Sequence, residues 1–308
     1  MLSDYKNMYK KIINYLYSCA PILLILTTMG WGTNTIVAKV SVNQVSPMMI
    51  VFLRWFLLSI ILLYLQKDNL KAVMPTIKSR ILWFLLMGGV GICSFNSLFY
   101  IAAYYTTAIN LGVIQSSQPA LVIILSYFLF KSKINFTQFT GLLFTFLGVL
   151  FVVSGGQLDL ILNLSMNFGD LIMISACIFY AGYTVGMQNR PKINELTLFT
   201  FISFFACLAS IPMLIIEISL GKFLMPSLFG WLLVFYVTLV PSFISQIFYM
   251  RGIDLLGANK AGLYTNLVPV FAAIFAITFI GEKIHFYHLL ALISVFFGIY
   301  LFQKSKNI

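Results

Sequence analysis

The chain has 308 residues, of which 61% are hydrophobic and only 9% charged, with a formal net charge of +11. A soluble domain carries roughly 25% charged residues, so a mean hydropathy of +0.98 with so few charges excludes one. A spanning helix takes about 20 apolar residues, which leaves room for roughly ten spans and none for a soluble catalytic domain.

Residues 1–18 read as a cytoplasmic N-terminal segment. Lys10-Lys11 precede an apolar stretch that continues to Trp31-Gly32 without an Ala-x-Ala type cleavage site, so it is a retained span and not a signal peptide. Spans are expected at about 19–38, 47–65, 81–103, 107–130, 136–154, 168–187, 195–217, 228–250, 259–280 and 285–303. Gln66–Asn69, Lys131–Lys133, Ser154–Gln157, Asn189–Lys192 and Arg251–Gly257 read as the polar or breaker-rich connections between them.

The second half repeats the first at a spacing of 150 residues. Ala108, Gly112, Pro119, Lys133, Ile134 and Gly148 recur as Ala258, Gly262, Pro269, Lys283, Ile284 and Gly298. The first repeat is therefore 19–155 and the second 156–303, with a cytoplasmic C-terminus at 304–308. Lys and Arg mark the cytoplasmic side of a membrane protein. With the N-terminus inside, 15 of them (Lys6, Lys10, Lys11, Lys67, Lys71, Lys78, Arg80, Lys131, Lys133, Arg190, Lys192, Arg251, Lys260, Lys304 and Lys306) fall inside. Only Lys39, Lys222 and Lys283 fall outside. Both termini are then cytoplasmic, in the inner (plasma) membrane. An odd number of spans per half inserts the second half upside down. The expected fold is an all-α integral membrane protein of ten transmembrane helices, arranged as two inverted five-helix repeats.

Several motifs carry a family resemblance. They are Gly30-Trp31-Gly32-Thr33-Asn34 in span 1, Pro47 followed by Arg54 in span 2, Pro119 in span 4, Asn266 to Lys283 in span 9 and Gly298 in span 10. In order and spacing the chain resembles the drug/metabolite transporter superfamily, specifically ten-span EamA-type members with two EamA repeats. One departure is that Gly281-Glu282 of the second repeat faces Lys131-Ser132 in the first. The resemblance implies transport of small metabolites, often export, by alternating access around a central cavity.

Polar side chains deep in spans are the candidate substrate-binding groups, because an unpaired amide in hydrocarbon costs several kcal/mol. They are Trp31 and Asn34 in span 1, Asn96 and Tyr100 in span 3, and Gln115 and Gln118 in span 4. Tyr180 and Tyr183 in span 6, Gln246 and Tyr249 in span 8, and Tyr264 and Asn266 in span 9 complete the set. Spans 2, 5, 7 and 10 are poor in such groups and read as an outer ring facing lipid. Pro119 and Pro269 are matched mid-span breaks, candidate hinges. Arg54 is the one cation well inside a span, with a structural or gating role expected. Small residues such as Gly182-x-x-x-Gly186, Gly148 and Gly298 read as helix contacts.

All eight acids fall in connections or at span ends, Asp170 coming nearest to a span and being the candidate coupling residue. Without a deep carboxylate, export of cationic drugs is disfavoured and small neutral or zwitterionic solutes, amino acids above all, are favoured. Exporters of drugs or other amphipathic compounds and an integral-membrane enzyme are the alternatives. An enzyme needs clustered chemistry, and His285 and His288 read as a membrane-surface pair. Four cysteines without a Cys-x-x-Cys pair argue against a metal or disulfide framework. No cofactor or nucleic-acid partner is expected; the partners are a small-molecule substrate and the lipid bilayer, for a monomer or homodimer.

Overall fold

The computed structural model describes residues 17–131, 135–157, 167–256, 261–262 and 264–305. Lys133, Ile134, Asp159, Ala258 and Lys260 lie outside them. Eight helices are long and apolar enough to cross a membrane: Ala20–Val40, Pro47–Ser79, Ile81–Ala102, Ala108–Phe130, Phe136–Val153, Phe168–Asn189, Glu195–Ser219 and Leu228–Leu256. These are spans 1 to 8. Thr265–Ile280 and Phe286–Leu301 are shorter apolar helices and supply spans 9 and 10.

Local chemistry sets the helix starts. Pro47 follows an extended Ser46 and supplies a helical φ at the first turn of span 2. Asn167, Asn194 and Ser227 accept hydrogen bonds from the first free amides of spans 6, 7 and 8. Asn135 and Gln138 form a reciprocal capping box at span 5. Span 4 stops at Lys131 (φ 53°) and span 9 at the equivalent Gly281 (φ 66°), both left-handed.

Cross-chain contacts establish the inversion. The end of span 1 meets the loop after span 3 through Lys39, and that loop meets the start of span 6 through Thr106 and Asp170. Helix ends of the first half thus share one face of the bundle with helix starts of the second. Packing follows the same two-fold logic. Span 1 lies against spans 8 and 9 as span 6 lies against spans 3 and 4, while span 2 pairs with span 7 and span 5 with span 10. At the last pair, a Cβ on Gly148 meets Val295 and Ala291, and one on Gly298 meets Thr145 and Gly141. Those two glycines serve a contact inside the chain.

Several expectations need correction. Gln66–Asn69 is not a connection, since span 2 continues as helix to Ser79, with Lys67 and Lys71 exposed and Gln66 turned onto Thr197. A helix satisfies its own backbone whether its side chains are polar or apolar, so a charged run does not end it. Likewise Arg251–Leu256 is not a connection but continues span 8 as helix. Of Gly182 and Gly186, only Gly186 makes a close approach, to Met87, while a Cβ on Gly182 meets nothing within 4 Å.

Spans 3 and 8 contain a feature that hydropathy does not announce. Leu85–Cys93 and Thr238–Ile244 are π-helical, at corresponding places in the two repeats. A π stretch turns through one extra residue, and its carbonyls bond five residues along instead of four. Ser94 and Ser242 each add a hydroxyl bond to a carbonyl five residues back, on Gly89 and Val237. Pro241 lies inside the second stretch, where its missing N–H already interrupts the α-helical ladder.

Candidate functional site: a central cavity under a polar cap

Between the repeats lies a cavity of about 900 Å³. Trp31 and Asn34 of span 1, Asn96 of span 3, Gln115 and Gln118 of span 4, Tyr180 and Tyr183 of span 6, Gln246 and Tyr249 of span 8, and Asn266 of span 9 line it. Of the sequence-selected groups, Tyr100 and Tyr264 are not among its lining. Tyr100 is fully buried behind the wall, where its hydroxyl donates to Asn34 Oδ1 at 3.1 Å. It positions a lining residue instead of meeting the cavity.

Pro119 and Pro269 line the cavity and mark matched interruptions. Span 4 is broken into Ala108–Gln115 and Gln118–Phe130, and span 9 begins as a 3-10 turn, Thr265–Leu267, before Val268–Ile280. Each proline occupies the first turn of the helix after its break, where its lack of N–H costs nothing.

Aromatic rings and neutral donors make up much of the walls. Trp31 and Tyr249 lie 5.1 Å apart, Phe95 and Tyr180 5.0 Å, and Tyr180 and Tyr183 5.6 Å between ring centroids. Trp31 Nε1 donates to the Pro241 carbonyl at 3.0 Å, so the second π stretch holds an indole of the opposite repeat. Gln118 Nε2 is buried with no hydrogen-bond partner among the described residues.

The outer-ring expectation fails for spans 2, 7 and 10. Arg54 and Trp55, Phe199 and Ile299 also line the cavity. Arg54 is 6% exposed, seven residues into span 2 from Pro47. A single charge per helix is too sparse to create a polar face, which is why span 2 looked peripheral.

One end of the bundle is closed by buried polar groups. Lys39 Nζ donates to the carbonyls of Ala103 (3.0 Å) and Thr106 (2.8 Å). Thr106 Oγ1 and Asn110 Nδ2 both donate to the Asp170 carboxylate, at 2.5 and 3.1 Å. His288 Nδ1 accepts from the His285 amide at 3.0 Å. Its Nε2 therefore carries the proton and donates to Asn110 Oδ1 at 3.1 Å. Two acids of the second half cap helices of the first. Glu282 accepts from the amides of Ala108 (2.8 Å) and Ile109 (3.0 Å), and Glu217 from the Ser46 hydroxyl and the Met48 amide. A carboxylate at a helix N-terminus meets both free N–H groups and the positive end of the dipole.

Asp170 and Glu217 do stand at span ends, but both are buried, while Glu282 is half-buried. Asp170 is 1% exposed and Glu217 7%. The surface pairing expected for His285 and His288 is corrected too, because His288 is 1% exposed and both its ring nitrogens are engaged. Their partners come from distant parts of the chain, so position along a span gave no sign of burial.

The cavity is displaced away from this cap. Its lining begins at Gly112, four residues into span 4, and at Asn34 and Asn96, six from the ends of spans 1 and 3. At 1.5 Å per residue, about 6–9 Å of packed protein separates it from the cap. At the opposite end its lining reaches Thr184, two residues before span 6 leaves α-helix at Gly186. That end bears the exposed Lys67, Lys71, Lys78, Arg80, Lys131, Arg190 and Lys192.

Two inverted helical repeats enclosing a polar cavity that lies under a cap at one end define a multi-pass membrane transporter. The chain belongs to the EamA-like transporter family, within the drug/metabolite transporter superfamily; the family model matches residues 19–154 and 167–303. It is similar to the uncharacterized transporter YetK of Bacillus subtilis strain 168, 26% identical over 277 residues, spanning 90% of this chain and 84% of YetK. YyaM of the same organism, also an uncharacterized transporter, is 24% identical and covers 90% of this chain and 91% of its own. An uncharacterized transporter of Archaeoglobus fulgidus is 25% identical over 93% of this chain and 98% of its own. A solved structure shares the fold with a TM-score of 0.62 at 16% identity, over 93% of this chain and 96% of that one.

Proposed function

We propose that this transporter exports small neutral or zwitterionic metabolites, amino acids being the leading class, across the plasma membrane by alternating access. The observation that carries the proposal is the cavity itself: neutral amides, phenols and an indole from both repeats converge on it. The positive-inside rule makes the Lys-rich end cytoplasmic and the capped end external. The structure then corresponds to a carrier closed to the outside, with its site displaced toward the cytoplasm. Apart from Arg54, which keeps its proton, the lining groups named above are neutral near pH 7, so in this reading Asp170 serves the external cap and not an obligatory proton step.

Counterflow of radiolabelled amino acids in proteoliposomes tests this. Exchange is expected without a pH gradient and is expected to survive in Asp170→Asn, because amides and phenols do not titrate near pH 7. Strict gradient dependence that disappears in Asp170→Asn while exchange persists identifies Asp170 as the coupling group. Failure of any amino acid or related solute to exchange rejects the substrate class.

Substitutions of the lining provide a second check. Asn34→Ala, Gln115→Ala and Gln246→Ala are each expected to weaken apparent affinity by roughly three- to tenfold, the range of one neutral hydrogen bond. Ile60→Ala and Ile215→Ala, at exposed positions of spans 2 and 7, are expected to leave it unchanged. Equal losses in both groups mean that the amides only hold the helices together.

A further inference from the structure

Arg54 is a buried cation without a counter-ion. Its Nε donates to Ser242 Oγ at 2.5 Å and its Nη1 to Asn96 Oδ1 at 2.8 Å, while Cζ lies 5.3 Å from the Trp55 ring centroid. Tyr100 is a further polar neighbour. Every one of these groups is neutral. Among the described residues the ion pair is Arg190–Glu195, at the bundle surface, and no carboxylate reaches Arg54. Among the described residues, Arg54 is also the only charged one in the lining of the cavity.

A guanidinium cannot escape burial by losing its proton. Buried charges are ordinarily neutralised by a partner, and an intramembrane charge without one marks a binding site or a pathway. The guanidinium carries five N–H donors in a fork that matches a carboxylate, and the two bonds above use two of them. Around it stand apolar and aromatic walls, Trp31, Phe95, Tyr180 and Tyr249 among them. A cavity with one cation, no acid and aromatic sides is complementary to an organic anion with an apolar body.

We propose that Arg54 is the carboxylate anchor of the transport site. The transported class is then small carboxylates bearing an apolar or aromatic body, zwitterionic amino acids included. This rests on the cavity being the transport site. The solute's carboxylate supplies the missing counter-charge, and in doing so competes for a guanidinium that bridges Asn96 of the first repeat to Ser242 of the second. Binding and the release of a contact between repeats are thereby linked, since a ligand shifts a conformational equilibrium only by binding its states unequally.

The test compares L-phenylalanine and L-leucine with their amides, which keep the body and amino group but lack the carboxylate. In counterflow, wild-type protein is expected to favour the acids by roughly ten- to hundredfold in apparent affinity, the range of a charge-assisted hydrogen bond. Arg54→Gln is expected to abolish that preference, and Arg54→Lys, which keeps the charge without the fork, to fall between. Because either variant can fold poorly, thermal unfolding of the purified wild-type protein with each compound is measured as well. Stabilisation by the acids and not the amides supports the anchor. Equal handling of acids and amides by the wild type overturns it while leaving the transport site intact. A wild-type preference that persists undiminished in Arg54→Gln also overturns it. If neither acids nor amides exchange or stabilise the protein, the cavity is not a site for this class, and the proposed function falls with the anchor.

Discussion

Replacing Gly298 by valine is expected to destabilise the protein by about 1–3 kcal/mol or more, the usual cost of forcing atoms into a filled interface. A Cβ at this position lies 2.5 Å from Thr145 Oγ1 and 2.6 Å from the Gly141 carbonyl oxygen, and a backbone atom cannot swing aside as a side-chain tip can. Gly148→Val meets Val295 at 2.6 Å and the Ala291 carbonyl at 2.8 Å from the facing helix. The two substitutions crowd one contact, so the double variant is expected to lose less than the sum. Gly182→Ala provides the opposite sign. Its Cβ meets nothing within 4 Å, and removing glycine from a helix interior is worth about 0.5–1 kcal/mol. Thermal unfolding in detergent, followed by size-exclusion recovery, separates the three. A Gly298→Val protein as stable as wild type means that spans 5 and 10 do not pack in this way.

Glu282→Ala is expected to open the capped end. The carboxylate takes two backbone N–H groups of span 4, from a residue just beyond span 9, and so ties the two repeats together on one side of the cavity. Two charge-assisted bonds amount to about 2–4 kcal/mol after compensation by water, which displaces a two-state equilibrium by roughly thirty- to several hundredfold. In a protein without its native cysteines, a cysteine at Gln115 is expected to react with an impermeant maleimide from the capped side much faster when Glu282 is alanine. A lower unfolding temperature with no change in labelling means that the carboxylate caps span 4 without holding the gate.

How much of this was legible in the sequence varied with the distance over which each feature is determined. Spans follow from runs of apolar residues, a local property, and their number and charge bias led directly to inversion. The candidate amides and phenols were equally visible, because a polar group in an apolar run stands out wherever the run lies. The π stretches were hidden, since Leu85–Cys93 and Thr238–Ile244 are as apolar as an α-helix and differ only in which carbonyl each amide finds. The burial of Asp170, Glu217 and His288 was hidden for another reason. Each stands where a span ends, and only partners 60 to 178 residues away along the chain reveal that it is enclosed. Arg54 falls between. Its depth in span 2 was plain, but its place in the cavity depends on Asn96 and Ser242 arriving from two other helices.

The pairing of spans 5 and 10 bears on how the molecule is made. Gly148 belongs to the first repeat, and its facing helix, which carries Ala291, Val295 and Gly298, is synthesised well after it. At about 5–20 residues per second, the 150 residues from Gly148 to Gly298 occupy a ribosome for roughly 8–30 s. For much of that interval span 5 can enter the bilayer without its partner, with lipid as the neighbour of its small-residue groove. Its proper partner arrives only after that interval. Closing the groove therefore comes late relative to insertion of the first repeat, and a nascent chain stalled before span 10 displays a groove that a second nascent chain can occupy.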